Sequence, residues 1–267
     1  MKRLREGNVV LPSYDIAGKI GNGTHGTVFM AVNKHDMSTC VVKRIPTEIP
    51  HCDAVSIVAL RELIIMKRIQ HHPNIIRLLH IWSSGTSFMA AMEYLPTTIH
   101  VWCGKLETTH VRSVITQLSS AVGHCHALHV MHRDLKPENV LIDAHLRVKL
   151  IDFGLATVFP RRQYTMDVYT MPYRAPEVTE GRYTHKADLW ALGCIMYELD
   201  CGRRLFNILT FDELRAALVG FAPQSLRMRC DLCTRILRCV LDANPDLRPE
   251  AKSIAGDISS EERRIKM

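Results

Sequence analysis

The chain has 267 residues, 47% of them apolar and 23% charged, with a formal net charge of +7. That length allows one large domain or two small lobes with a proper core, and the composition is ordinary for a soluble globular protein. No apolar run reaches the roughly 18–20 residues of a membrane helix, and no apolar stretch follows the basic residues of MKRLREGNVV, so neither a membrane span nor a secretory signal is expected. The expected location is intracellular, in cytoplasm or nucleus. The positive charge suits an anionic substrate, but no basic run carries interleaved aromatics, so no direct nucleic-acid binding is expected.

In chain order, residues 1–13 read as an N-terminal extension. From Tyr14 to about Ile45, YDIAGKI, TVFMAV and TCVVKRI are short and rich in β-branched residues, separated by the turns GNGTHG and NKHDMS; they predict strands. Val55 to Ile69, VSIVALRELIIMKRI, predicts a helix with apolar residues running nearly all round. Strand signals return in IIRLLHIW and SFMAAMEYL. Beyond Pro96, a helix is predicted over Val111–Leu128, then a charged turn, two short apolar pieces (NVLI and VKLI) and a polar loop to about Thr170. Helices follow around ADLWALGCIMYEL, FDELRAALVGF and LCTRILRCVL. A β-rich first third before a helix-rich remainder predicts an α+β chain of two lobes, over residues 14–94 and 97–255. The joint falls near Glu93–Thr97, and residues 256–267 read as a short tail.

The nine cysteines are scattered, as expected of buried free thiols in a reducing compartment. Cys230 and Cys233 form a CxxC with no second pair at zinc-ribbon spacing. In HCHALHVMH, His124 and His126 point to different helix faces, so packing roles are expected for the histidines instead of a shared metal.

Gly21-Asn22-Gly23-Thr24-His25-Gly26-Thr27-Val28 is a GxGxxGxV stretch. Glycines let a backbone approach a phosphate, so it reads as a dinucleotide turn, another phosphate cover or a flexible hairpin. A dinucleotide turn needs a following helix, whereas TVFMAV is strand-like, which favours a glycine-rich hairpin. Lys43 lies in the apolar strand VVK. Glu62 shares a helix face with Val58, Ile65, Met66 and Ile69, where a carboxylate is costly without a paired cation. Lys43 is its natural partner. In HRDLKPEN, Asp134 and Asn139 precede Asp152 of IDFG, giving oxygen ligands of the kind Mg²⁺ takes while bridging phosphates.

These motifs, with Ala175-Pro176-Glu177 after them, stand in the order of eukaryotic protein kinases, which the chain resembles over about residues 14–255. The resemblance implies a two-lobed fold, a β-rich N-lobe and a helical C-lobe, and transfer of the γ-phosphoryl of ATP to Ser/Thr hydroxyls of protein substrates with Mg²⁺. It implies that the glycine loop, Gly21 to Val28, covers the phosphates. Lys43 holds the α- and β-phosphates and pairs with Glu62. Asp134 takes the hydroxyl's proton, Lys136 neutralises the moving phosphoryl, and Asn139 and Asp152 hold Mg²⁺. Ile20, Val28 and Val41 sandwich the adenine, Met92 lines its pocket, and Glu93 and Leu95 offer backbone hydrogen bonds. His132 and Phe153 pack with Met66 and Leu78, and Glu177 pairs with Arg248.

Within that family, ALREL, DFGLA and YRAPEV resemble the cyclin-dependent branch, which implies a cyclin-like activator on the Val55–Ile69 helix. Thr165 falls at that branch's activating phosphothreonine; the plainer reading is a loop hydroxyl. Arg133 and Arg61 match two of the three phosphate-binding arginines. Thr157 stands at the third, with Arg161 or Arg162 as substitutes. Tyr173-Arg174 suggests proline-directed specificity. The compact form, lacking the branch's long late insert, is compatible with a virus-encoded enzyme.

Overall fold

The computed structural model describes residues 14–23, 26–49, 52–55, 57–160, 164–165 and 168–265. They group into two compact units. One comprises residues up to Leu63 together with Arg77–Tyr94, the other Ile64–Ile76 together with Leu95 onward.

The first unit is built on an antiparallel sheet. Its strands are β1 (Tyr14–Gly23), β2 (Gly26–Asn33) and β3 (Thr39–Pro46), with a small hairpin, β4 (Glu48–Ile49) and β5 (Cys52–Val55), leading to α1 (Ile57–Ile69). After α1 come β6 (Leu78–Ser84) and β7 (Ser87–Glu93), and the sheet order is β1-β2-β3-β7-β6. Alternation along the strands separates two faces. Ala31, Cys40, Val42 and Ala91 are buried on one, with Tyr14, Leu79, Trp82 and Met89 against them. On the other, Ile45 and Ala90 pack with Ala59 and Leu63 of α1. This second contact fixes which helix face meets the sheet.

Two sequence expectations change here. Val55 is not helical: it pairs with Glu48 in the β4–β5 hairpin, so the helix proposed as a docking element starts at Ile57. Ile64–Ile76 groups with the second unit instead of the N-lobe. Asn74 Nδ2 donates to Gln117 Oε1 and to the Val148 carbonyl, both at 2.9 Å, and Ile75 bridges Leu150. These polar ties hold the segment to the second unit.

The second unit contains β8 (Thr97–Thr98), α2 (Thr108–Ala127), β9 (Val130–Met131), β10 (Val140–Ile142), β11 (Val148–Leu150), β12 (Thr157–Val158) and the helices α3 (Lys186–Cys201), α4 (Phe211–Leu218), α5 (Asp231–Val240) and α6 (Ala251–Ile265). α3 is buried on nearly every side, as its continuous apolar sequence requires. It ends where Gly202, at φ 74°, takes the left-handed conformation. α4 starts with a capping box: Glu213 N–H donates to Thr210 Oγ1, and Glu213 Oε2 accepts from Thr210 N–H.

The expected tail from residue 256 is the second half of α6, with Ile254 and Ile258 buried. Burying such a side chain gains about 1.5–3 kcal/mol, enough to keep the helix running. The expected polar loop before Thr170 buries Val168 and Tyr169 and pairs β12 with β9.

Eight free cysteines stand among the described residues. Burial pushes Cys103 up to about 12 and raises Cys125 and Cys194 as well, which keeps these thiols protonated. Cys230 accepts from the Cys233 N–H at 3.4 Å and caps α5.

Candidate active site

In the first unit, the glycine-rich stretch is the β1–β2 hairpin, with Asn22 opposite Thr27 and Gly23 opposite Gly26. Thr27 Oγ1 donates to Asn22 Oδ1 at 3.0 Å. Thr24 and His25 lie outside the described residues. Gly26 has φ 144°, and a Cβ there would stand 2.3 Å from the Arg44 carbonyl oxygen, so only glycine fits. Gly21 has no such constraint; a Cβ would meet Val28 Cβ at 3.7 Å.

Ile20 sits at a register shift between Lys19 and Gly21 and is half exposed. Val28 pairs with Lys43, Val41 with Met92, and Lys43 with Ala90. Cross-strand partners share a face, so Val28, Val41, Lys43 and Met92 lie on the face that α1 covers farther along. Glu62 therefore meets Lys43: Nζ donates to Oε1 at 2.6 Å, with both side chains at least nine-tenths buried. Glu93 N–H donates to the Arg77 carbonyl, and its Oε1 accepts from Arg77 N–H at 2.7 Å. Any backbone contact of Glu93 to a base must then use its carbonyl. Arg61 is half-buried on α1, and Leu95 is half-buried after β7.

In the second unit, HRDLKPEN links β9 to β10. Pro137 opens a short 3₁₀ turn over Pro137–Asn139, since a proline fits only the first turn of a helix. The turn folds Asn139 back, and its Nδ2 donates to the Asp134 carbonyl at 2.8 Å and to Asp134 Oδ2 at 2.9 Å. Lys136 Nζ is 2.7 Å from Asp134 Oδ2 and donates to Thr170 Oγ1 at 3.0 Å. Thr170 in turn donates to Asp134 Oδ1 at 2.7 Å. One carboxylate is thus held by an amide, an ammonium and a hydroxyl.

The β10–β11 hairpin brings the DFG segment alongside, with the Ile151 N–H donating to the Asn139 carbonyl at 3.0 Å. Asp152 follows with φ 59°, a conformation that costs a non-glycine residue about 1–3 kcal/mol and clusters at functional sites. His132 and Phe153 pack edge to face at 4.8 Å. His132 Nε2 lies 2.9 Å from the Ile151 carbonyl. His124 faces the Ile69 carbonyl at 3.1 Å, so these histidines do have separate partners.

Arg133 is buried. Its Nε donates to the Leu155 carbonyl at 2.8 Å and one Nη to Tyr183 Oη at 3.2 Å. Tyr183 Oη donates to the Thr165 carbonyl at 2.8 Å, which links the arginine to the exposed Thr165 through one phenol. Arg161 and Arg162 lie outside the described residues.

The protein kinase domain family matches residues 14–257. The chain belongs to the protein kinase family. It is also similar to the protein named cyclin-dependent kinase 2 of Caenorhabditis elegans, at 35% identity over 214 residues, 74% of this chain. It spans 58% of that relative's length. The fold is the one the motifs implied: a β-sheet unit followed by a helical one.

Asp188 is one of two residues of this kinase domain that sequence reasoning missed. Fully buried at the start of α3, it accepts from the His132 N–H at 2.9 Å, the Arg133 N–H at 3.0 Å, Tyr169 Oη at 3.0 Å and His126 Nε2 at 2.9 Å. Burial works to raise its carboxyl, but the hydrogen bond and charge of His126, with His132 behind them, hold it below the usual carboxylate range. Burial first, then the Asp188 charge, pushes the Tyr169 phenol far up, so it stays a donor. Arg133 is at φ 65°, and Asp188 holds the turn there. The available signal was a carboxylate inside ADLWALG, an acid in an apolar helix. Thr170 was missed too, because nothing local marks a loop hydroxyl that reaches back 36 residues to Asp134.

Proposed function

We propose that this chain is an ATP- and Mg²⁺-dependent protein kinase that phosphorylates Ser/Thr hydroxyls of proteins. The observation that carries this reading is the closed network of Asp134, Lys136, Asn139 and Thr170 beside the DFG turn. Asp134 orients the substrate alcohol and accepts its proton as the oxygen attacks the γ-phosphorus and the bond to the ADP oxygen breaks. Lys136 stabilises negative charge on the moving group. Lys43, oriented by Glu62, holds the α- and β-phosphates under Gly21, Gly23 and Gly26. Ile20, Val28, Val41 and Met92 contact the adenine, with Glu93 and Leu95 at its edge. Asn139 and Asp152 would hold Mg²⁺, which would supply neutralisation of the phosphate charge.

Thr165 is proposed as an activating phosphorylation site. Arg133, already tied to it through Tyr183, would take part in reading the phosphate together with Arg61. Leu60 and the 65%-exposed Ile64 of α1, one turn apart, are proposed as contacts of a cyclin-like activator. Specificity is proposed to be proline-directed, and a peptide array without preference for proline after the acceptor would discard that part.

The deciding experiment incubates the protein with labelled ATP, Mg²⁺ and a Ser/Thr peptide library. Asp134→Asn should lower kcat by about 10²- to 10⁴-fold with nucleotide binding kept. Transfer by that variant at the unmutated rate would overturn the assignment of Asp134, and no transfer by the unmutated protein would overturn the reading as an active enzyme in favour of a binding scaffold.

A further inference from the structure

Next to Asp188 lies a group of side chains that phosphoryl transfer does not use. One ring nitrogen each of His126 and His185 and one carboxylate oxygen of Glu250 lie within 4.8 Å of one another. His126 is 8% exposed. Its Nε2 is hydrogen-bonded to Asp188, and its Nδ1 is buried with no hydrogen-bond partner among the described residues. His185 meets the His126 ring edge-on at 4.9 Å and is backed by Phe159, stacked at 4.9 Å. His185 Nε2 is 3.0 Å from Glu250 Oε2, and Lys186 Nζ holds Glu250 Oε1 at 2.7 Å.

We propose that His126, His185 and Glu250 form a binding site for one Zn²⁺ ion. The reason lies in His126 Nδ1. Asp188 accepts from Nε2–H, so a neutral imidazole presents a bare lone pair at Nδ1, and a charged one presents an N–H there. Either state leaves a buried polar atom unmatched, at a cost of about 1–3 kcal/mol. The neighbouring ammonium does not answer it, since Lys186 donates to Glu250 and to the Arg248 carbonyl at 2.6 Å. A metal ion on Nδ1 does. A carboxylate that fixes the tautomer of a ligating histidine is the usual support behind such a ligand, and Asp188 stands in that position. Two imidazoles and one carboxylate are a donor set that suits Zn²⁺, with a fourth position left for water. Access is from solvent: the side chains of Glu250 and His185 are 55% and 22% exposed. The ion would replace the direct His185–Glu250 hydrogen bond. Through His126 and Asp188 it would also brace the backbone of His132 and Arg133.

The test is equilibrium dialysis of the intact protein against Zn²⁺ in excess Mg²⁺, with the wild type, His185→Ala and Glu250→Gln compared. The wild type should take up one equivalent more than His185→Ala, and Glu250→Gln should bind that equivalent at least about tenfold more weakly. Zn²⁺ should also raise the melting temperature of the wild type and not that of His185→Ala. Equal uptake by all three proteins would place any zinc elsewhere, for instance on cysteines, and overturn the assignment; so would no uptake by the wild type. The readout is metal bound, not phosphate transferred, so it stands or falls apart from the kinase reading.

Discussion

Lys43 and Glu62 form a buried ion pair with a structural role, and the proposed function gives the same pair a chemical one. Each is buried, and the 2.6 Å contact between them compensates two charges removed from water. Lys43→Met leaves Glu62 without that partner, so two effects are expected together. Phosphoryl transfer should fall by about 10²- to 10³-fold, as when one donor to developing charge is lost, and the protein should be less stable to urea. A variant that kept full transfer in the labelled-ATP assay would remove Lys43 from the site. This pair was legible in the sequence because a carboxylate on an apolar helix face has few tolerable explanations. Thr170 and Asp188 were not legible, because a hydroxyl or an acid states its capacity to bond but not its partner.

At the scale of elements, the β1–β2 hairpin separates two reasons for a glycine. Gly26 is required by the fold: its φ of 144° and the Arg44 carbonyl leave no room for a side chain. Gly21 is free of that demand, and the role proposed for it is a close approach to phosphate. Gly26→Ala should therefore lower stability by about 1–3 kcal/mol, measured by denaturant titration. Gly21→Ala should leave stability unchanged and weaken ATP binding. Equal stability losses in the two would refute the distinction. The sequence pattern identified the hairpin, since strand-like TVFMAV follows the glycines, but it could not say which glycine served which purpose. It erred at the ends of elements, where α1 lost Val55 to a hairpin and α6 gained residues read as a tail. Those boundaries depend on strand pairing and on burial of Ile258, neither of which is a local property.

For the molecule as a whole, the helical unit is tied by Arg248. Its guanidinium, 1% exposed, meets Glu177 through two bonds of 2.6 and 2.9 Å, donates to the carbonyls of Asp242 and Lys186, and lies over Trp190. Arg248→Met strands the Glu177 carboxylate in the interior, so unfolding free energy should drop by about 3–5 kcal/mol. Adding Glu177→Met should recover part of the loss, as calorimetry or denaturant melts would record. No recovery would mean that the pair is not the source of the effect. No helix among the described residues is long and apolar enough to cross a membrane.

The order of glycine loop, lysine, helix glutamate, HRD and DFG was written in the chain itself, because each motif is local and carries its own turn chemistry. Periodicity likewise separated strands from helices. Only the folded molecule brought Asp188 to the backbone of the HRD turn and set His126 beside His185 and Glu250. Those partners lie 62 and more residues apart along the chain. Such contacts follow from how helices pack, and a one-dimensional pattern holds no distance between residues so far apart.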